Sequence, residues 1–322
     1  MTESTGPLKL VPRYQEKPWG GRRLERTFGR GLAAGAKIGE SWELYDRPDG
    51  AAEIANGPLA GRTVADLRGK RRIPLLTKII DAMDTLSVQV HPDGEAASEL
   101  DGEEKTEAWY VIDAEPGARI YKGLKDGVGV RDLLTALDRG TVPDLLHSFE
   151  PSPGDLVYLP AGTVHAIGAG VLLYEVQQNS DTTYRLYDWD RPGLDGKPRE
   201  LHREPSIRST DFSGPGLDRV EPRPIFDDGR YRRTMRVDCP AFAMEEQEIL
   251  GLVTFETERR GGPRWHVVFV LSGEGTIRAF RRGAEEVFFA PGDSLLLPAE
   301  HERYEIEPRS GRTVRLLSAC QP

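Results

Sequence analysis

Cysteine is scarce: Cys239 and Cys320 are the two in 322 residues, they form no CxxC pair, and they supply no disulfide framework. No run approaches the roughly 20 apolar residues that a membrane-spanning helix needs. The opening segment, MTESTGPLKLVPRYQEKPWGG, lacks the basic and apolar regions of a signal peptide, so the expected compartment is the cytoplasm. Basic residues are outnumbered, 43 Lys and Arg against 52 Asp and Glu, and the net charge of −9 argues against non-specific nucleic-acid binding. The same negative field repels a phosphorylated metabolite, so a site for one needs local lysines or arginines.

Long helical patterns are scarce as well. VADLRG (64–69), VRDLLTAL (130–137) followed by TVPDLLHSF, and RELHREPSIRSTDF (199–212) predict short helices. What abounds is punctuation. Turns such as PSPGD, RPGLDGKP and APGD separate LLTKII, LSVQV, AWYVI, DLVYLPA, VLLYEVQQ, HVVFVLSG and SLLLPA, the pattern of an all-β sandwich or barrel. SPGDLVYLPAGTVHAI (152–167) and APGDSLLLPAEHERYEI (290–306) share one frame, so the chain reads as two β units, breaking near SGPGLDRVEPRP (213–224). The second copy carries Arg303 where the first has His165.

On a strand, residues two apart face one side. Ser87, Gln89 and His91 therefore point together, with Val88 and Val90 facing the other layer. Lys105 and Glu107 pair likewise if the strand has begun by then, and His165 ends the next long strand. Gln89, His91, Glu107 and His165 offer an amide oxygen, a carboxylate and two imidazoles, a set that suits zinc or another borderline divalent metal. A lone strand histidine is more often structural than a ligand. Taken together these residues favour a site, because burying them without a common partner costs several kcal/mol.

TLSVQVHPD, GEEKTEAWYVI and LPAGTVHAIGAGVLLYEVQQNSDTTYRLYDWDR closely resemble the motifs of type I mannose-6-phosphate isomerases, in their short bacterial form. KPWGG, IGESWEL and PLLTKIIDA extend the resemblance over roughly residues 10–205. Glu104 departs from it, where short bacterial members often carry glycine. The resemblance implies a mainly β fold of two cupin-type (jelly-roll) barrel units. Residues 1–212 would form the catalytic domain, with a short helical insertion at about 123–150, and residues 213–322 a degenerate second cupin. It implies one zinc ion per chain on Gln89, His91, Glu107 and His165, and interconversion of mannose 6-phosphate and fructose 6-phosphate through a cis-enediol. The implied partner is a small hexose phosphate, with no nucleic acid or membrane.

By match to the family's motifs, Arg185 is the catalytic arginine, Glu175 an active-site acid and Lys105 the lysine beside the glutamate ligand. Ser87 and Lys78 match positions that hold the phosphate. Lys105, Glu175 and a metal-bound water are all candidates for the proton-transfer base. Glu175 and Arg185 share a face if one strand joins them, which NSDTT makes doubtful, and a buried ion pair between them is the alternative role. Trp19 and Trp42 are expected to pack; Glu40 and Ser41 support the site or cap a turn. His147, His202, His266 and His301 match no ligand position. Two other readings, an iron-dependent cupin dioxygenase and a non-catalytic sugar-binding cupin, fit the lysines, Glu175 and Arg185 less well.

Overall fold

The computed structural model describes residues 6–67, 72–259, 262–309 and 311–321. The chain divides into two compact units, one of residues 14–41 and 78–220, the other of residues 1–13, 42–77 and 221–322.

The strands that frame the candidate site are β1 (Arg13–Gly21), β2 (Ile38–Leu44), β3 (Leu75–Ala82), β4 (Val88–Val90), β5 (Glu107–Ala114), β6 (Ile120–Leu124), β7 (Leu146–Phe149), β8 (Leu156–Leu159), β9 (His165–Ile167), β10 (Val171–Gln178) and β11 (Tyr184–Tyr187). They form a six-stranded sheet, β8-β5-β10-β3-β1-β2, and a five-stranded sheet, β7-β6-β9-β4-β11. One apolar cluster joins the inner faces, with Trp109, Val111, Val157 and Leu173 from the first sheet and Ile120, Phe149 and Ile167 from the second. A second cluster covers the outer face of the five-stranded sheet, where Val88, Val90, Ala166 and Leu186 pack with Leu133 and Ala136 of the helix Val130–Arg139. Alternation is thus strict around the key residues: the valines of β4 go outward, and Gln89 faces in.

In the other unit, an eight-stranded sheet carries Leu8–Val11 beside Ser294–Leu297, with Leu8 opposite Leu296. Its core is Val268, Val270, Leu295, Leu297, Leu316, Phe289 and Tyr304. The internal repeat is real at its turns. Asp155 accepts from the Ser152 N–H at 2.8 Å and Asp293 from the Ala290 N–H at 2.7 Å, each just before a four-residue strand.

The mainly β, cupin-type architecture agrees with the sequence, but three local expectations differ. The linear division at 212/213 differs from the interleaved units, because the N-terminal strand finds its partner almost the whole chain away, which punctuation cannot reveal. TVPDLLHSF is a short 3-10 turn, Val142–Leu145, that gives way to strand β7, and the insertion at about 123–150 opens on the end of β6. Leu146 there buries beside Leu124 as a strand pair, so tertiary pairing overrides local leucine spacing. At 64–69 a 3-10 turn covers Val64–Asp66, and residues 68–69 lie outside the described residues. The helices at 130–137 and within 199–212 are present, as Val130–Arg139 and Arg203–Ser209. No helix of the described residues is long and apolar enough to cross a membrane.

Candidate active site

Strands β4, β5 and β9 deliver Gln89, Glu107 and His165, and His91 directly follows β4. Gln89 lies directly across from His165 in the β4–β9 pair, and Arg185 lies across from Gln89 in the β4–β11 pair. Glu107 opens β5 on the facing sheet, opposite Gln177 and Leu159. His165 opens its own short strand rather than ending the long one, because the PAGTV turn intervenes. Gly162 makes that turn at φ 89°, a conformation suited to glycine, and donates its N–H to the His91 carbonyl at 2.8 Å. Lys105 precedes the strand, held by its N–H to the Pro92 carbonyl at 3.2 Å.

The side chains converge. One ligand atom each from His91, Glu107 and His165 lies within 4.8 Å of the others, and all three residues are buried. His91 Nδ1 sits 2.8 Å from the Thr182 carbonyl and His165 Nδ1 2.8 Å from the Thr163 carbonyl. Carbonyls only accept, so both Nδ1 atoms donate and both Nε2 atoms carry lone pairs. Those lone pairs face Glu107, at 3.4 Å from Oε2 for His91 and 3.3 Å from Oε1 for His165. The Gln89 amide nitrogen stands 3.2 Å from His165 Nε2; a half-turn of the amide exchanges nitrogen for oxygen, so the position offers an oxygen ligand.

Burial, then the Lys105 charge, pushes His91 down to about 3, and burial depresses His165 as well, so both imidazoles are neutral. Burial by itself would raise Glu107, but the Lys105 ammonium foremost outweighs it and holds the carboxyl well below its usual range. Neither Glu107 oxygen has a hydrogen bond of good geometry among the described residues, although the Lys105 ammonium stands 2.8 Å from Oε2. That ammonium also lies 3.1 Å from His91 Nε2. A buried carboxylate and two imidazole lone pairs aimed at one point repel each other unless a cation lies among them, and this donor set fits a divalent metal.

Beside the cluster opens a polar cavity of about 300 Å³. Lys17, Lys78, Lys105, Arg185 and Arg199 line it against Glu40, Glu175 and Asp181, a local cationic excess in an acidic chain. Ser87, Gln89 and Trp19 line it too. Lys78 is buried between Glu40 at 3.7 Å and Glu175 at 3.6 Å. Burial opposes its charge, but the two carboxylates overcome that and raise its pKa. Glu175 is raised by burial and then by Glu107. Arg185 is pinned through its backbone, whose N–H donates to His202 Nδ1 at 3.0 Å and whose carbonyl accepts from the His202 N–H at 2.8 Å. Its guanidinium donates to the Glu200 carbonyl at 2.8 Å, and its Nε is buried with no partner among the described residues.

All nine residues singled out from the sequence therefore fall at the cluster or on the cavity wall. Glu175 and Arg185 do not share a strand: NSDTT breaks it, with Ser180 N–H on the Gln178 carbonyl at 2.7 Å and Gln177 Nε2 on the Ser180 carbonyl at 2.6 Å. Glu40 lines the cavity, whereas Ser41 points away and accepts from Arg30 at 2.6 Å. Trp19 both packs in the core and borders the cavity. Trp42 packs edge-on against Tyr45. His147 pairs with Asp218, His202 backs Arg185, His266 sits by the Thr257 carbonyl and His301 stacks edge-on with Tyr304. Glu104 is exposed and accepts from Gln178 at 3.3 Å. Sequence reasoning passed over Lys17 and Arg199, which line the cavity, and Trp109, which donates to Glu175.

A cupin-type fold with a buried His/Glu/His cluster beside a cationic cavity defines a metal-binding enzyme for a small anionic substrate. The comparisons place it more narrowly. Residues 8–117 match the model of the family described as phosphomannose isomerase type I, catalytic domain. The chain is 36% identical to mannose-6-phosphate isomerase ManA of Bacillus subtilis, over 94% of this chain and 96% of that protein. It is 37% identical to mannose-6-phosphate isomerase of Streptococcus mutans, over 91% and 92% respectively. The crystal structure of a Bacillus subtilis mannose 6-phosphate isomerase superimposes with a TM-score of 0.86 at 30% identity, covering 98% of this chain and 99% of that one. The chain belongs to the type I mannose-6-phosphate isomerase family.

Proposed function

We propose that this protein interconverts mannose 6-phosphate and fructose 6-phosphate through a cis-enediol(ate), using one zinc ion held by Gln89, His91, Glu107 and His165. The observation that carries the reading is the convergence of two Nε2 lone pairs on a buried carboxylate at the wall of a cationic cavity. Bound there, zinc would supply Lewis-acid stabilisation of the developing enediolate charge.

The chain's own residues do the rest. Arg185, always charged and with a buried Nε that has no hydrogen-bond partner among the described residues, meets the oxyanion that develops as the C2 proton leaves. Glu175 and Lys105 both line the cavity and move the proton between C2 and C1. Burial and the neighbouring Glu107 raise the Glu175 pKa, which favours a carboxyl able to take up a proton. Lys78 and Ser87 hold the phosphate. The catalytic residues lie wholly in the unit of residues 14–41 and 78–220. The protein works in the cytoplasm on a free metabolite.

The test is turnover of mannose 6-phosphate carrying deuterium at C2, followed by formation of fructose 6-phosphate. Conversion that is slower for the deuterated sugar, with no oxygen consumed, is expected, since the C2–H bond breaks in the chemical step. A folded, metal-bearing protein that leaves mannose 6-phosphate unchanged sinks the assignment.

A further inference from the structure

We infer that Trp109 is a positioning residue for Glu175, a role that rests on the reading of Glu175 as a proton-transfer group. The two residues face each other across the β5–β10 pair. The Trp109 indole N–H donates to Glu175 Oε2 at 2.9 Å, and the ring is fully buried. The other oxygen, Oε1, has no hydrogen-bond partner among the described residues and stands 3.6 Å from the Lys78 ammonium.

The arrangement is a balance. The last torsion of a glutamate is broad and roughly two-fold, so an untethered carboxylate would turn freely. Lys78, buried beside it, would draw both oxygens into a closed ion pair, as buried charges demand good geometry. One strong donor on Oε2 prevents that. It fixes the plane of the carboxylate and leaves a single oxygen without a hydrogen bond in a residue that lines the cavity. A hydrogen bond to a charged group is the right strength for the task.

Trp109 also ties this carboxylate to the metal cluster. It stands two residues from Glu107 on the same face of β5, and its ring meets His165 edge-on, with centroids 5.3 Å apart and planes at 82°. One rigid side chain thus sets the proton-transfer group relative to the ligand set. Phenylalanine would keep the contact with His165 and lose the tether.

The experiment is a double-mutant cycle between Trp109→Phe and Glu175→Gln, read as kcat and KM for mannose 6-phosphate, with metal content and Tm measured alongside. Trp109→Phe is expected to lower kcat by about tenfold or more while KM changes much less and the metal stays bound. In the Glu175→Gln background the same change is expected to cost almost nothing further, because there is no longer a carboxylate to orient. Replacing Trp109 by 3-benzothienylalanine, which keeps the ring volume and removes only the N–H, is expected to reproduce the loss and guards against a packing defect. Full kcat in the benzothienyl variant overturns the inference, as does a Trp109→Phe loss that is equally large with and without Glu175. If Glu175→Gln alone keeps wild-type kcat, the role given to Glu175 falls first, and that outcome is distinct from a failure of Trp109.

Discussion

Glu107→Gln is expected to empty the metal site and to lower turnover by about 10³-fold or more. Glutamine keeps the shape and removes the negative charge, so the variant isolates electrostatics from packing. The carboxylate is the one anion among the three clustered residues, and it would balance a bound divalent cation as well as the Lys105 ammonium at 2.8 Å. With the charge gone, Lys105 would be buried beside two neutral imidazoles and an amide, and breaking a buried pair in this way costs about 3–5 kcal/mol. The melting temperature of the variant should therefore fall as well. Metal analysis of the purified variant, its activity and its thermal melt check the three parts together. A variant that retains a full equivalent of metal would show that the cluster holds its cation by some other anion.

Arg185→Lys is expected to lower kcat by about 10²- to 10³-fold while leaving the metal in place. The two effects separate cleanly because Arg185 is not a ligand: it reaches the site from β11, one strand beyond Gln89. Its position is set by backbone bonds to His202 that lysine would keep. What lysine cannot supply is a planar fork, one arm on the Glu200 carbonyl and the buried Nε left for a substrate oxygen. Burial and the nearby Arg199 act against the Arg185 charge, so an anion arriving there relieves an existing cost. Steady-state kinetics with metal analysis tests it. Wild-type kcat in Arg185→Lys would confine the arginine to a structural role.

The legible part of the site was the part written in period two. Ser87, Gln89 and His91 could be assigned to one face because valines occupy the alternate positions, and those valines do pack outward. His165 was found by its motif, and the turn that lets it reach Gln89 shows only in the fold. What stayed hidden depends on pairings that no local pattern encodes. The Thr182 and Thr163 carbonyls that fix the two imidazoles are backbone atoms of loops. Trp109 looked like core because it is core; only its cross-strand neighbour makes its N–H consequential. The short helix Gly94–Glu99, capped by Asp93 on the Ala96 N–H at 2.8 Å, was masked by the acid-rich stretch around it. The N-terminal strand gave no sign that its partner lies near residue 296.

The most direct test is a zinc titration of the chelated protein, with mannose 6-phosphate turnover read at each step. The account predicts no activity at the start and a linear rise that breaks at one zinc per chain, with Glu107→Gln flat throughout. Turnover that survives complete removal of metal, or zinc that binds at one equivalent through Glu107 without restoring any turnover, would contradict it.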